Sequence, residues 1–231
     1  MSVMLVVAAH PDDEVLGAGG TLARLADEGV TTHVLILGEG ATSRVRFRSS
    51  SRGKAASAVK ALEESARLAA RILGAAGVSF GHLPDNRFDA VDLLAIVRRV
   101  EEELARVKPQ AVFTHFAGDL NVDHRMTFEA AMVACRPQPG ARLQEIYSFE
   151  VPSATGWAGP AAERAFRPTV YVDVRRQLAR KLQALAAYPT EMRPAPHARS
   201  VEAISALARW RGSEAGLEAA EAFALIREIR R

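Results

Sequence analysis

Val3-Met4-Leu5-Val6-Val7-Ala8-Ala9-His10-Pro11-Asp12-Asp13-Glu14 is the stretch on which the fold turns. Its first part is a short, β-branched apolar run, the pattern of a strand buried on both faces. Its second part places an imidazole and three carboxylates in close succession at the end of that strand. In open α/β sheets the carboxyl ends of the strands face the ligand crevice. Carboxylates crowded there repel one another and lose hydration unless a cation joins them. The stretch therefore predicts both a buried strand and half of a metal site.

Outward from this strand, helical and extended patterns alternate. Apolar residues at helical spacing from Leu16 to Glu28 stop at Gly29, and Thr31 to Leu37 reads as a second strand. A helix over Ser57–Leu73 and a short strand over Val78–Phe80 follow, then the turn-forming LPDNRFD from Leu83 to Asp89. Val91–Val107 is amphipathic, Gln110–Thr114 is a fourth strand, and a helix is expected over Met126–Ala134. Such alternation predicts a Rossmann-like α/β fold, a mostly parallel sheet with helices on both faces. Beyond residue 140 the pattern loosens. Glu145–Phe149 and Thr169–Val174 read as strands, and Arg175–Ala187, Val201–Trp210 and Ser213–Phe223 as helices. With no linker, repeat or low-complexity tract, residues 1–231 are expected to form a single domain, with 1–140 as the core bearing the metal site and 141–231 completing it.

Composition bounds the function without naming it. The 231 residues are 48% hydrophobic and 25% charged, with a formal net charge of +3, ordinary values for a globular enzyme. So small an excess of positive charge gives no footprint for nucleic acid. The single cysteine, Cys135, excludes an internal disulfide and a multi-cysteine zinc cluster. No run reaches the length of a membrane span, and the start of the chain lacks a signal-peptide pattern, so a cytoplasmic location is expected.

A third metal ligand should come from another strand end. The segment Thr114-His115-Phe116-Ala117-Gly118-Asp119-Leu120-Asn121-Val122-Asp123-His124 follows the fourth strand and leads into a helix. His10, Asp13 and His124 would form a two-histidine, one-carboxylate set with a position left for water, suited to catalytic Zn2+. Fe2+ and Co2+ also fit this donor set.

AHPDDE near the N-terminus, joined to a distal D-x-N-x-D-H loop, resembles the LmbE-like (PIG-L) family of zinc-dependent N-acetylglucosaminyl deacetylases. The resemblance runs along nearly the whole chain, including LPDNRFD. It implies that His10, Asp13 and His124 hold zinc and that Asp12 is the general base, taking a proton from water activated at the ion. The implied substrate is a small N-acetylated amino-sugar conjugate, and the resemblance is compatible with a homo-oligomer. Many family members carry a histidine three residues before the distal ligand, oriented by an intervening aspartate. Here that position is Asn121, while Asp123 is kept. A neutral amide can donate to an oxyanion but cannot deliver a proton at pH 7. The departing amine must then be protonated by Asp12 itself or by His197, in the segment Arg193-Pro194-Ala195-Pro196-His197. Glu14 is expected either to support the site or to bond nearby backbone.

Between Gly40 and Leu62 lie six basic residues and no acid, among them Arg44 and Arg48, expected to contact an anionic part of the substrate. Asp85 resembles a family position that bonds sugar hydroxyls, and Arg193, His197 and Arg199 lie in a proline-rich connection suited to substrate contact. Two other functions compete. Leu16-Gly17-Ala18-Gly19-Gly20 superficially suggests a nucleotide-binding module, but it lacks the G-x-G-x-x-G spacing and carboxylates precede it. A catalytically inactive metal-binding protein is the other alternative.

Overall fold

The computed structural model describes residues 2–41 and 52–230. Arg44 and Arg48 lie outside the described residues. The first strand, β1 (Val3–Ala8), is followed by α1 (Asp13–Asp27), β2 (Thr31–Gly38), α2 (Arg52–Leu73), β3 (Gly77–Leu83), α3 (Leu93–Val107), β4 (Ala111–His115) and α4 (Val122–Ala134). Then come β5 (Glu145–Phe149), β6 (Val170–Asp173), α5 (Leu178–Ala186), α6 (Val201–Glu214) and β7 (Ala220–Glu228). All seven strands join one sheet in the order β3-β2-β1-β4-β5-β7-β6. β1 pairs in parallel with β2 and β4, β2 with β3, and β4 with β5, whereas β7 runs antiparallel to both its neighbours.

The alternation of side chains along β1 explains why both faces are covered. Val6 and Ala8 enter one buried cluster, which includes Leu22 of α1, Ala69 of α2 and Leu185 of α5. Leu5, Val7 and Ala9 enter the other, with Ile96 and Val100 of α3 and Ala130 of α4. No described helix is long and apolar enough to cross a membrane. Cys135 is buried behind α4, and burial pushes its thiol up to about 12, against a role as nucleophile.

Several boundaries differ from those expected from the sequence, and three of the differences matter here. First, α1 begins at Asp13 rather than Leu16, which puts Asp13 and Glu14 in its first turn, where carboxylates are favoured by the helix dipole. The glycines of the supposed nucleotide loop thus lie inside the helix. A Cβ on Gly17 would sit 2.2 Å from the Phe149 ring, so this glycine lets α1 press against β5. Second, β4 reaches one residue further and includes His115. Third, the expected helix over Ser213–Phe223 does not form. α6 extends to Glu214, the chain reverses at Gly216 (φ +71°) with Leu217 N–H donating to Gly212 C=O, and β7 begins at Ala220. Alanine and glutamate favour helices intrinsically, but the slot between β5 and β6 needs a strand, and tertiary packing outweighs propensity.

Candidate metal centre

From β1 the chain moves outward to β2 and β3, and then returns to β4 on the other side of β1. This reversal is the switch point where open α/β sheets hold ligands. His10 follows β1, His115 ends β4, and His124 stands in the first turns of α4. The topology therefore gathers at one crevice residues that lie more than a hundred positions apart in sequence.

Asp13 is the hub. Its Oδ2 accepts from His10 N–H at 2.9 Å and lies 3.2 Å from His10 Nδ1, 3.2 Å from His124 Nε2 and 3.6 Å from His115 Nε2. His10, Asp13 and His124 can each offer one donor atom within 4.8 Å of the others. Asp13 Oδ1 is buried without a hydrogen-bond partner, and an unsatisfied buried acceptor costs about 1–3 kcal/mol or more. A divalent cation relieves that cost, so these residues fit a metal. His10, Asp85 and Asp123 form a second set of comparable spacing. There the Asp123 oxygens already accept from Asn86 N–H (2.7 Å), Phe88 N–H (2.9 Å) and His10 Nε2 (2.9 Å). That set orients His10 from behind, as second carboxylates do for metal-bound imidazoles.

The charge states without an ion follow from these contacts. Burial alone would lower His10, but its bonds to Asp123 and Asp13 outweigh that and push it up to about 10. His124, likewise buried, is pushed up to about 9 by Asp13 and Asp119. Burial also acts against Asp13, yet the neighbouring His124 and His10 hold its carboxyl well below the usual range. Asp12 goes the other way. Burial raises it well above its ordinary value, and the opposing Arg199 guanidinium does not restore it. His115 is kept neutral by burial and by the adjacent His124, against whose ring it stacks at 4.0 Å.

The supporting layer comes from distant segments. Asp119 Oδ1 lies 3.2 Å from His124 Nδ1, and its Oδ2 accepts from Thr155 Oγ1–H at 2.6 Å. Glu14 bonds nearby backbone, one of the two roles expected of it. One oxygen accepts from Asp12 N–H at 3.0 Å and the other from the Tyr188 hydroxyl at 2.5 Å. Burial lifts its carboxyl to about 7, with the Tyr188 bond opposing.

Among the other residues singled out from sequence, Asp12 and Asp85 are buried at the crevice, with Asp85 Oδ1 3.5 Å from His10 Nε2. Asn121 caps α4. Its Oδ1 accepts from Asp123 N–H at 2.8 Å, and its Nδ2 donates to Asn86 Oδ1 at 3.2 Å. His197 is placed differently from the expectation that it folds over the site. Its Nδ1 accepts from Arg199 N–H at 3.0 Å and its ring packs edge-on against Trp157. Arg193 closes its own turn by donating to the Thr190 and Met192 carbonyls. The reading from sequence gave no site role to His115, Thr155, Tyr188 or Glu191. His115 had a signal, as a second histidine in the quoted loop, whereas the others sit in ordinary apolar or loop contexts.

The chain is 30% identical to 1D-myo-inositol 2-acetamido-2-deoxy-alpha-D-glucopyranoside deacetylase 1 of Saccharopolyspora erythraea, covering 82% of this chain and 78% of that one. It is 31% identical to 4-oxalmesaconate hydratase of Pseudomonas putida, over 78% of this chain and 70% of the relative. The solved N,N'-diacetylchitobiose deacetylase of Pyrococcus horikoshii has the same fold, with a TM-score of 0.75 at 19% identity over 98% of this chain and 84% of that one. Residues 5–135, which run from β1 through α4 and so carry the whole histidine–aspartate cluster, match the family described as PIG-L, GlcNAc-PI de-N-acetylase. The chain belongs to the PIG-L family.

Proposed function

We propose that the protein is a zinc-dependent hydrolase that removes acetyl from an N-acetylglucosamine-type conjugate. The observation that carries this reading is the buried, unpartnered Asp13 Oδ1 amid His10 and His124, with Asp12 beside it, in a chain of this family. His10, Asp13 and His124 would hold a divalent ion, which when bound would supply a Lewis acid and lower the pKa of a water there. Asp12 would be the group that takes up a proton from water at the crevice and returns one to the departing amine. Its place beside Asp13, buried at the crevice without belonging to the ligand set, supports this assignment. Asn121 keeps a second amide N–H that is the proposed donor to the developing oxyanion. Asp123 and Asp85 hold His10 in its ligating orientation. Arg44 and Arg48 remain the proposed contacts for an anionic part of the substrate.

The likeness to 4-oxalmesaconate hydratase favours a second reading, addition of water to an unsaturated carboxylate at the same site. One assay separates the two. Protein stripped with chelator and reloaded with Zn2+, Fe2+ or Co2+ is offered a panel of N-acetylglucosamine conjugates and an unsaturated tricarboxylate. The expected outcome is acetate release from at least one conjugate, lost on chelation and restored best by zinc. Metal-dependent loss of the tricarboxylate's absorbance, with no acetate from any conjugate, would move the function to the second reading.

A further inference from the structure

Asp12 is held in place from two directions. Its backbone lies at φ 109°, ψ −27°, a conformation that side chains rarely adopt and that persists only where surroundings impose it. Glu14 accepts from its N–H, and its C=O accepts from Val15 and Leu16 N–H. The side chain is gripped by a residue 187 positions away. Arg199 Nη1 donates to Asp12 Oδ2 at 2.7 Å.

Arg199 is in turn well fixed. It lies on the segment between α5 and α6, where His197 N–H donates to Pro194 C=O at 3.2 Å and Ser200 N–H to His197 C=O at 2.9 Å. His197 Nδ1 receives the Arg199 amide. The guanidinium donates through Nε to Ser153 Oγ at 2.7 Å, and Nη1 is shared with Glu191 Oε2 at 3.3 Å. A planar fork anchored at Ser153 and Glu191 leaves its contact with Asp12 little freedom to rotate. With two carboxylates, Asp12 and Glu191, against it, this guanidinium is poorly suited to bind a substrate anion.

We propose that Arg199 is a positioning residue that fixes the Asp12 carboxylate in the rotamer needed for proton transfer. The inference rests on the hydrolase reading for what Asp12 does, but not for the contact itself. Arg199→Ala should lower kcat about 30- to 100-fold, the scale of a misplacement of about 1 Å, while KM changes less than about threefold. Zinc content should stay at the wild-type level, and millimolar guanidinium should restore a large part of the lost rate. Arg199→Lys should fall between, because a lysine cannot span both Ser153 and Asp12. A kcat within about threefold of wild type, or a loss that guanidinium does not relieve at full zinc content, overturns the proposal.

A second measurement needs no turnover. In metal-free protein, the drop in Tm caused by Arg199→Ala should shrink when Asp12 is already Asn, since the two then share one lost contact. Equal drops in both backgrounds would show that Arg199 does not hold Asp12. A wild-type protein inactive on every conjugate would sink the deacetylase reading, and the Tm cycle would still decide this one.

Discussion

Asp12 and Asp13 are neighbours in sequence, both buried, yet their environments push them apart. Asp13 meets three imidazoles, whereas Asp12 meets one guanidinium and two further acids. Adjacent carboxyls whose pKa values diverge are suited to different tasks: in the proposed mechanism Asp13 stays ionised as a ligand and Asp12 exchanges a proton. Replacing Asp12 with Asn should lower kcat by about 10²–10⁴-fold, the usual worth of a general acid–base, with zinc still bound. His197→Ala should cost about tenfold or less, because His197 touches the Arg199 amide and Trp157 rather than the cluster. Steady-state kinetics on the best conjugate checks both, and comparable losses would return the acid role to His197. The gathering of His10, Asp13 and His124 was legible at this scale because they lie in dense polar clusters beside strand ends. Arg199, Glu191 and Tyr188 were not given their roles from sequence. Arg199 and Tyr188 reach Asp12 and Glu14 across 187 and 174 positions, Glu191 acts through Arg199, and none of the three carries a spacing signal.

At the scale of elements, α1 depends on β7. Glu221 of β7 accepts from Gly20 N–H (2.8 Å) and Thr21 N–H (2.7 Å) in the middle of α1, and from Lys181 Nζ at 2.6 Å. Lys181 of α5 also donates to Leu16 C=O at 2.8 Å. Lys181 and Glu221 are 4% and 5% exposed, so neither charge can turn to water when its partner is lost. Glu221→Ala should therefore destabilise the fold by about 3–5 kcal/mol, leaving an unpaired ammonium and two orphaned amides. The urea midpoint measures it, and a loss below about 1 kcal/mol would put the pair with ordinary surface bridges. Glu221→Gln, which keeps an acceptor, should cost less. β1, β2 and β4 were readable because each is a largely buried apolar run with β-branched residues. β7 was not, because Ala220, Ala222 and Ala224 alternate with residues that suit a helix equally well. Its identity comes from the slot it fills.

For the molecule as a whole, folding brings β1, β4 and α4 together and so concentrates charge that protons must neutralise when no metal does. Without an ion, His10 rises from 6.5 to about 10, His124 from 6.5 to about 9, and Glu14 from 4.5 to about 7. A group whose folded pKa is raised stabilises fully below its unfolded value and loses that contribution as pH rises through the folded one. Glu14's contribution is therefore lost between about 4.5 and 7, and those of the two histidines between about 6.5 and 10. Asp13, held low, acts in the opposite sense and is lost only as pH falls below its ordinary 3.8. Metal-free protein should thus lose Tm steadily from pH 6 to pH 10. The zinc-loaded form needs neutral imidazoles and competes with these protons, so it gains on the metal-free form over the same window. Differential scanning of chelated and zinc-loaded samples should show the gap in Tm widening with pH. Zinc titrations near neutral pH in buffers of different ionisation enthalpy should show protons released on binding. A chelated Tm that does not fall above pH 7, together with no proton release, would mean that His10 and His124 are already neutral without metal and that Asp13 does not hold their protons.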